Sequence, residues 1–230
     1  MPDTLITGTI REWRGLLANS GFRRGGTRSL LINLLVIGLF GCFVPWKWGF
    51  DFFDAFVMLA YCAIAFLFTA SAMTALMTPG VSESPLPARI LAAGFHGWSV
   101  MAITIALGIA TVNFAYHAPR FLHPRWTLAV ACLLLGLMGS IMIASIGALL
   151  AVIFTPAVSR SAIRVLFVLM LLGANFGRRY LPIDWQVAIE QQLTTEGITR
   201  AAWVGSLFAA ATSVALVVAL GKANPALTKP

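Results

Sequence analysis

Acidic side chains are scarce in this chain. Its 230 residues include 8 Asp and Glu against 16 Lys and Arg; charged residues make up 10% of the total and hydrophobic ones 59%. A soluble domain carries about 25% charged residues, so this composition points to a chain that lives largely in lipid. Signatures of common chemistry are missing as well. There is no HExxH metal-protease motif, no GxGD-type intramembrane aspartate, no GxSxG elbow, no CxxC and no GxxxxGK[ST] phosphate loop. No catalytic residue is expected, and the chain does not bind ATP through a phosphate loop of its own. The three cysteines, Cys42, Cys62 and Cys132, are odd in number, far apart and set in apolar runs. They read as buried inert thiols, with neither a disulfide framework nor a metal site implied. No small-residue cleavage site closes the first apolar run, so that run is expected to stay as an anchor.

What is present is a series of long apolar runs. Residues 30–46, 55–77, 90–114, 126–154 and 201–220 form five, and residues 165–176 form a sixth that reaches spanning length only if 157–164 continues it. About 20 apolar residues cross a bilayer as a helix, and without water the backbone must satisfy its own hydrogen bonds. The expected fold is therefore all-α: a polytopic membrane protein with six transmembrane helices and an N-terminal amphipathic interfacial helix. Residues 1–28 form the lead segment, 29–222 the transmembrane domain and 223–230 the C-terminal tail.

In the lead segment Ile6, Ile10, Trp13 and Leu17 recur on one helical face, with Arg11, Glu12 and Arg14 off that stripe. A short helix lying on the membrane surface is expected there. Thr9 and Glu12 have capping-box spacing. Residues 184–193 repeat Trp185, Ile189 and Leu193 beside polar residues and read as a second surface helix. The net charge of +8 does not indicate nucleic acid, because the basic residues sit at run ends and in the lead, where anionic headgroups and cytoplasmic loops account for them. With the N-terminus inside, 10 of the 16 Lys and Arg fall on inner segments, which favours both termini in the cytoplasm.

Small residues mark expected helix contacts: Gly136, Ser140, Ala144 and Ala148 on one line, Ala201, Gly205, Ala209 and Ser213 on another. Ionisable groups within the runs are few. His96 is the intramembrane polar candidate, while Asp51, Asp54 and Arg164 can reach the interface. His117 and His123, beside prolines in a connection, read as interfacial polar residues. Ion-driven carriers need carboxylates or histidines near the midplane, so the energy for any transport is expected from another chain.

The amphipathic lead 5–19, the turn-rich connection 78–89, the polar-apolar segment 184–193 and the small-residue-rich stretch 140–182 ending in Tyr180, Leu181 and Pro182 together resemble the membrane subunits of type-2 ABC exporters. The resemblance is one of layout over most of the chain. The connection 78–89 lacks the acidic, glycine-containing pattern often seen there, Glu83 being its one acidic residue. The resemblance implies a permease subunit that forms the substrate pathway with a second copy or a homologous permease. Separate ATP-binding cassette subunits would carry ATP and Mg, and Arg11, Arg14, Glu83 and Arg89 would contact them. It further implies a multi-pass protein of a bacterial inner membrane, in contact with membrane lipid. The alternative is a non-transport membrane anchor or assembly subunit of a larger complex, which would share the lack of catalytic groups.

Overall fold

The computed structural model describes residues 4–18, 65–78, 80, 82, 84–116, 126–154, 161–162, 165, 180, 182–184 and 195–223. Five helices account for nearly all of them: α1 (Leu5–Ala18), α2 (Ala65–Leu76), α3 (Leu86–Tyr116), α4 (Trp126–Ile153) and α5 (Thr195–Ala223).

The expected six spanning helices are not what the structure shows. Among the described residues two helices are long and apolar enough to cross a membrane, Val130–Ile153 and Glu196–Ala223. The runs 30–46 and 165–176 lie outside the described residues, save for Val165. Of the run 55–77, residues 55–64 lie outside the described residues, and the described remainder holds the apolar helix α2. The run 90–114 lies inside α3, a 31-residue helix that does not qualify as a span; its first three turns carry Arg89 and His96 and are built into the protein core. A count of apolar runs treats helices packed against protein and helices facing outward alike. The two qualifying helices differ in this respect: α4 packs on both α3 and α5, with 39% of its most apolar stretch buried, and α5 turns more of itself outward, with 22% buried. A core helix of a soluble domain would be mostly buried.

α2 and α3 are antiparallel neighbours, and the connection between them contains Gly80. Gly80 sits there at φ +78°, a left-handed conformation suited to glycine. Pro85 and Pro87 fall at the start of α3, where a missing N–H costs nothing, and the Pro85 carbonyl accepts from the N–H of Ala88 (2.9 Å) and of Arg89 (3.3 Å). Gly97 lets α3 close on α2: a Cβ there would overlap Thr69 Oγ1 and the Ala65 carbonyl. α4 then runs back along α3, with Gly94 against Ile141 and Gly136 against Met101. The Trp98 indole N–H donates to the Leu133 carbonyl of α4 at 3.1 Å.

α5 lies along α4 in the same direction, Gly205 facing Leu135 near their starts and Leu220 joining Ala144 and Ala148 in one core cluster near their ends. The line Gly136, Ser140, Ala144, Ala148 is buried throughout, as its spacing suggests. On α5 the buried line is Ala202, Ser206, Ala209 and Ser213, and Ala201 is exposed. Buried hydroxyls on these helices mostly bond the carbonyl one turn back, as in Ser206 to Ala202 and Ser213 to Ala209 (both 2.7 Å). That removes the penalty of a bare hydroxyl in an apolar setting. α5 also begins earlier than its apolar run, and its ends suit the helix dipole, with Glu196 in the first turn and Lys222 in the last.

Core residues gather at one end of the bundle, where Leu16 of α1, Met73 and Leu76 of α2, Leu86 and Ile90 of α3, Ala148 of α4 and Leu220 of α5 meet. α1 is therefore part of the folded body.

Candidate functional site

The junction of α1 with the start of α3 brings together more of the expected contact residues than any other described region. α1 begins at a Thr4 cap: the Thr7 N–H donates to Thr4 Oγ1 (3.3 Å) and the Thr7 hydroxyl to the Thr4 carbonyl (2.9 Å). The expected Thr9–Glu12 capping box does not form. Thr9 lies inside the helix and its hydroxyl donates to the Leu5 carbonyl at 2.7 Å.

The roll of α1 decides which face meets the protein. Gly8, Glu12 and Leu16, spaced four apart, are its buried residues. Gly8 allows the approach, since a Cβ there would stand 3.3 Å from Ala88 Cβ. Three of the four stripe residues point away from the bundle, Ile6 being 71% exposed, Ile10 43% and Leu17 45%, while Trp13, on the side nearest Leu16, is half-buried and packs against the core cluster. At about 100° per residue the exposed Ile6, Ile10 and Leu17 are centred about 140° around the helix from the buried line.

Ser84, 1% exposed, is the centre of the junction. Arg11 Nη2 donates to its hydroxyl at 2.7 Å, and Arg89 Nε donates to its carbonyl at 2.6 Å. Its own N–H donates to Ser82 Oγ at 3.3 Å. Two guanidinium groups thus clasp one buried residue from two elements, by hydrogen bonds of the charge-assisted kind. Glu12 supplies the opposite charge. Its carboxylate lies 3.9 Å from Arg11 Nε, with 9% of the side chain exposed. Burial pulls the Arg89 guanidinium below its ordinary value, and the Glu12 carboxylate works in the opposite direction. Arg89 stays a cation throughout the ordinary pH range.

Of the sequence-derived contact residues, the structure places Arg11 and Arg89 on the same serine. Arg14 stands exposed one turn along α1. Glu83 lies outside the described residues, as do Cys42, Cys62, His117, His123 and most of the expected surface helix 184–193. His96 is not part of the junction. It lies two turns further along α3, about 10 Å away by helical rise, buried with its ring 6.3 Å from that of Phe68. Cys132 is a buried free thiol. Among the described residues no group of His, Cys, Asp and Glu is arranged to hold a metal.

Sequence reasoning missed Ser84 and the buried side of α1. The repeat Gly8, Glu12, Leu16 was available as a spacing, but a glutamate within it does not advertise a buried face. Chemically the junction offers hydrogen bonding, fixed charge and close backbone packing, which suits it to holding and transmitting position. Comparison of the chain with protein-family models, curated proteins and solved structures finds no match.

Proposed function

We propose that this chain is a membrane-spanning permease subunit of an ATP-driven exporter of the type-2 ABC kind. Separate ATPase subunits supply the energy, and a second copy or a homologous permease completes the substrate pathway. In this reading both termini face the cytoplasm of a bacterial cell and the protein sits in its inner membrane. The observation that carries the proposal is the junction: the two segments that would face an ATPase, α1 and the connection before α3, are joined through Arg11, Ser84 and Arg89. A force applied to either is passed to the start of α3. The two helices of spanning length and the small-residue contact between α4 and α5 support the membrane part of the reading.

The test is purification of the tagged full chain from its native membrane in a mild detergent. A stoichiometric partner bearing a phosphate loop is expected, with vanadate-sensitive ATPase activity. Reversing charge at Arg11, Arg14, Glu83 and Arg89 together should weaken copurification or ATPase stimulation. Recovery of the chain within a complex devoid of nucleotide hydrolysis would instead support the anchor or assembly role.

A further inference from the structure

α1 has a choice of two faces to turn toward the bundle. Ile6, Ile10 and Leu17 make the larger apolar surface, and in water they would be the natural side to bury. The helix does the reverse, burying Gly8, Glu12 and Leu16, resting Trp13 on the core cluster and leaving Ile6, Ile10 and Leu17 outside. A buried carboxylate is tolerated only where cations and hydrogen bonds compensate it, and this junction supplies Arg11 and Arg89. Turned outward into a bilayer, the same carboxylate would have no such compensation. The stripe, for its part, loses nothing by facing lipid. We propose that Glu12 is a positioning residue that sets the roll of α1, so that the junction with Ser84 and Arg89 holds one face and the Ile6, Ile10 and Leu17 face docks on the acyl–headgroup boundary of the bilayer.

Gly8 is the second element of the device. With Ala88 Cβ only 3.3 Å from where its own Cβ would be, position 8 admits this roll without displacing α3. The same proximity supplies a reporter, because disulfides need Cβ atoms about 3.5–4.5 Å apart. Arg14 and the exposed part of Arg11 lie beside the stripe rather than within it, where guanidinium groups can reach headgroup phosphates.

The inference rests on the membrane part of the proposed function and not on the ATPase partner, so the two can fail separately. The experiment uses the full chain in nanodiscs of phosphatidylcholine and phosphatidylglycerol, with Cys42, Cys62 and Cys132 replaced by alanine. One variant carries Gly8→Cys with Ala88→Cys, and its oxidation rate is followed. Others carry a single nitroxide at Ile10→Cys, Arg14→Cys or Val214→Cys, the last on the exposed face of α5. Oxygen and a water-soluble nickel chelate serve as relaxation agents.

The expected results are ready 8–88 cross-linking, a label at position 10 that favours oxygen and a label at position 14 that favours nickel. Adding Glu12→Leu should slow cross-linking by about tenfold, as loss of a partner from a buried charge cluster implies. It should also reduce the oxygen preference at position 10 while position 214 stays unchanged. A merely structural role would move 214 as well, and in that event Glu12→Gln decides: slower cross-linking by about threefold upholds the proposal and the parental rate overturns it. Parental behaviour of Glu12→Leu at both reporters overturns it too. So does a label at position 10 that is closed to both agents, which would mean that protein covers the stripe. A label at 214 open to nickel in the parent would break the membrane reading itself.

Discussion

α1 and α5 are held to the same bundle by different means. α5 presents a line of small residues to α4, buries its hydroxyls by bonding them to its own backbone and leaves Val204, Leu207, Phe208 and Val214 outside. Its attachment is shape, with apolar surface on both sides of the contact. α1 adds a polar attachment to the apolar contacts of Leu16 and Trp13: it places a glycine and a carboxylate against the protein and is fastened by the hydrogen bond from Arg11 to Ser84, a residue that Arg89 holds from the other side. Shape-held helices resist any added volume at their contacts and are indifferent to charge. A helix with a polar attachment tolerates volume on its outer faces and loosens when one polar partner is removed. The two regions should therefore respond to different substitutions.

The largest effect is expected where shape is tightest. Gly97→Ala places a methyl group on Thr69 and on the backbone carbonyl of Ala65, and a backbone cannot yield as a side chain can. A loss of about 3 kcal/mol is expected, the upper part of the range for overpacking, seen as a lower midpoint of thermal unfolding in detergent. Gly136→Ala is the matched control. Its new methyl meets the flexible end of Met101, so a loss of about 1 kcal/mol is expected. Equal losses at the two sites would mean that packing between these helices is looser than the close approaches indicate.

A middle effect is expected at the charge-held junction. Ser84→Ala removes the acceptor for Arg11 but keeps the carbonyl that Arg89 uses. Because Arg11 is partly exposed and can return to water, about 1 kcal/mol is expected, which is about fivefold faster amide exchange in residues 5–18. Exchange in α4 and α5 should not change. Acceleration of all helices together would show that α1 is not a separately fastened unit.

The smallest effect has the opposite sign. Gly15 is exposed on α1, with nothing within 4 Å of a Cβ built there. Gly15→Ala should stabilise the helix by about 0.5–1 kcal/mol through backbone entropy alone, measured as slower exchange in α1. A destabilisation would mean that this face is in contact with something.

Much of the layout was legible in the sequence. The four-residue repeat from Gly136 to Ala148 corresponds to a buried helix face, and of the stripe Ile6, Ile10, Trp13 and Leu17 all but Trp13 share an exposed one. The number of spans was not legible. Hydropathy scores a run such as 55–77 by composition alone, and it does not register that Thr69, Ala72 and Met73 of α2 are buried in protein. Nor could the sequence tell which face of α1 meets the bundle. That depends on Ser84 and Arg89, more than 70 positions away, and long-range pairing of polar groups leaves no local period. On α5 Ala209 and Ser213 are buried as expected, while the first half of the line moves by one residue, from Ala201 and Gly205 to Ala202 and Ser206, because alanine, glycine and serine occur on several of its faces.

The bond from the Trp98 indole to the Leu133 carbonyl makes travel between α3 and α4 stepwise. On one face of a helix the next carbonyl of similar aspect is a full turn away, about 5.4 Å. Sliding by a fraction of that strands the indole N–H in an apolar contact with no acceptor. Small relative motion of the two helices is therefore confined to tilting about Trp98, and any larger shift must ratchet by a whole turn.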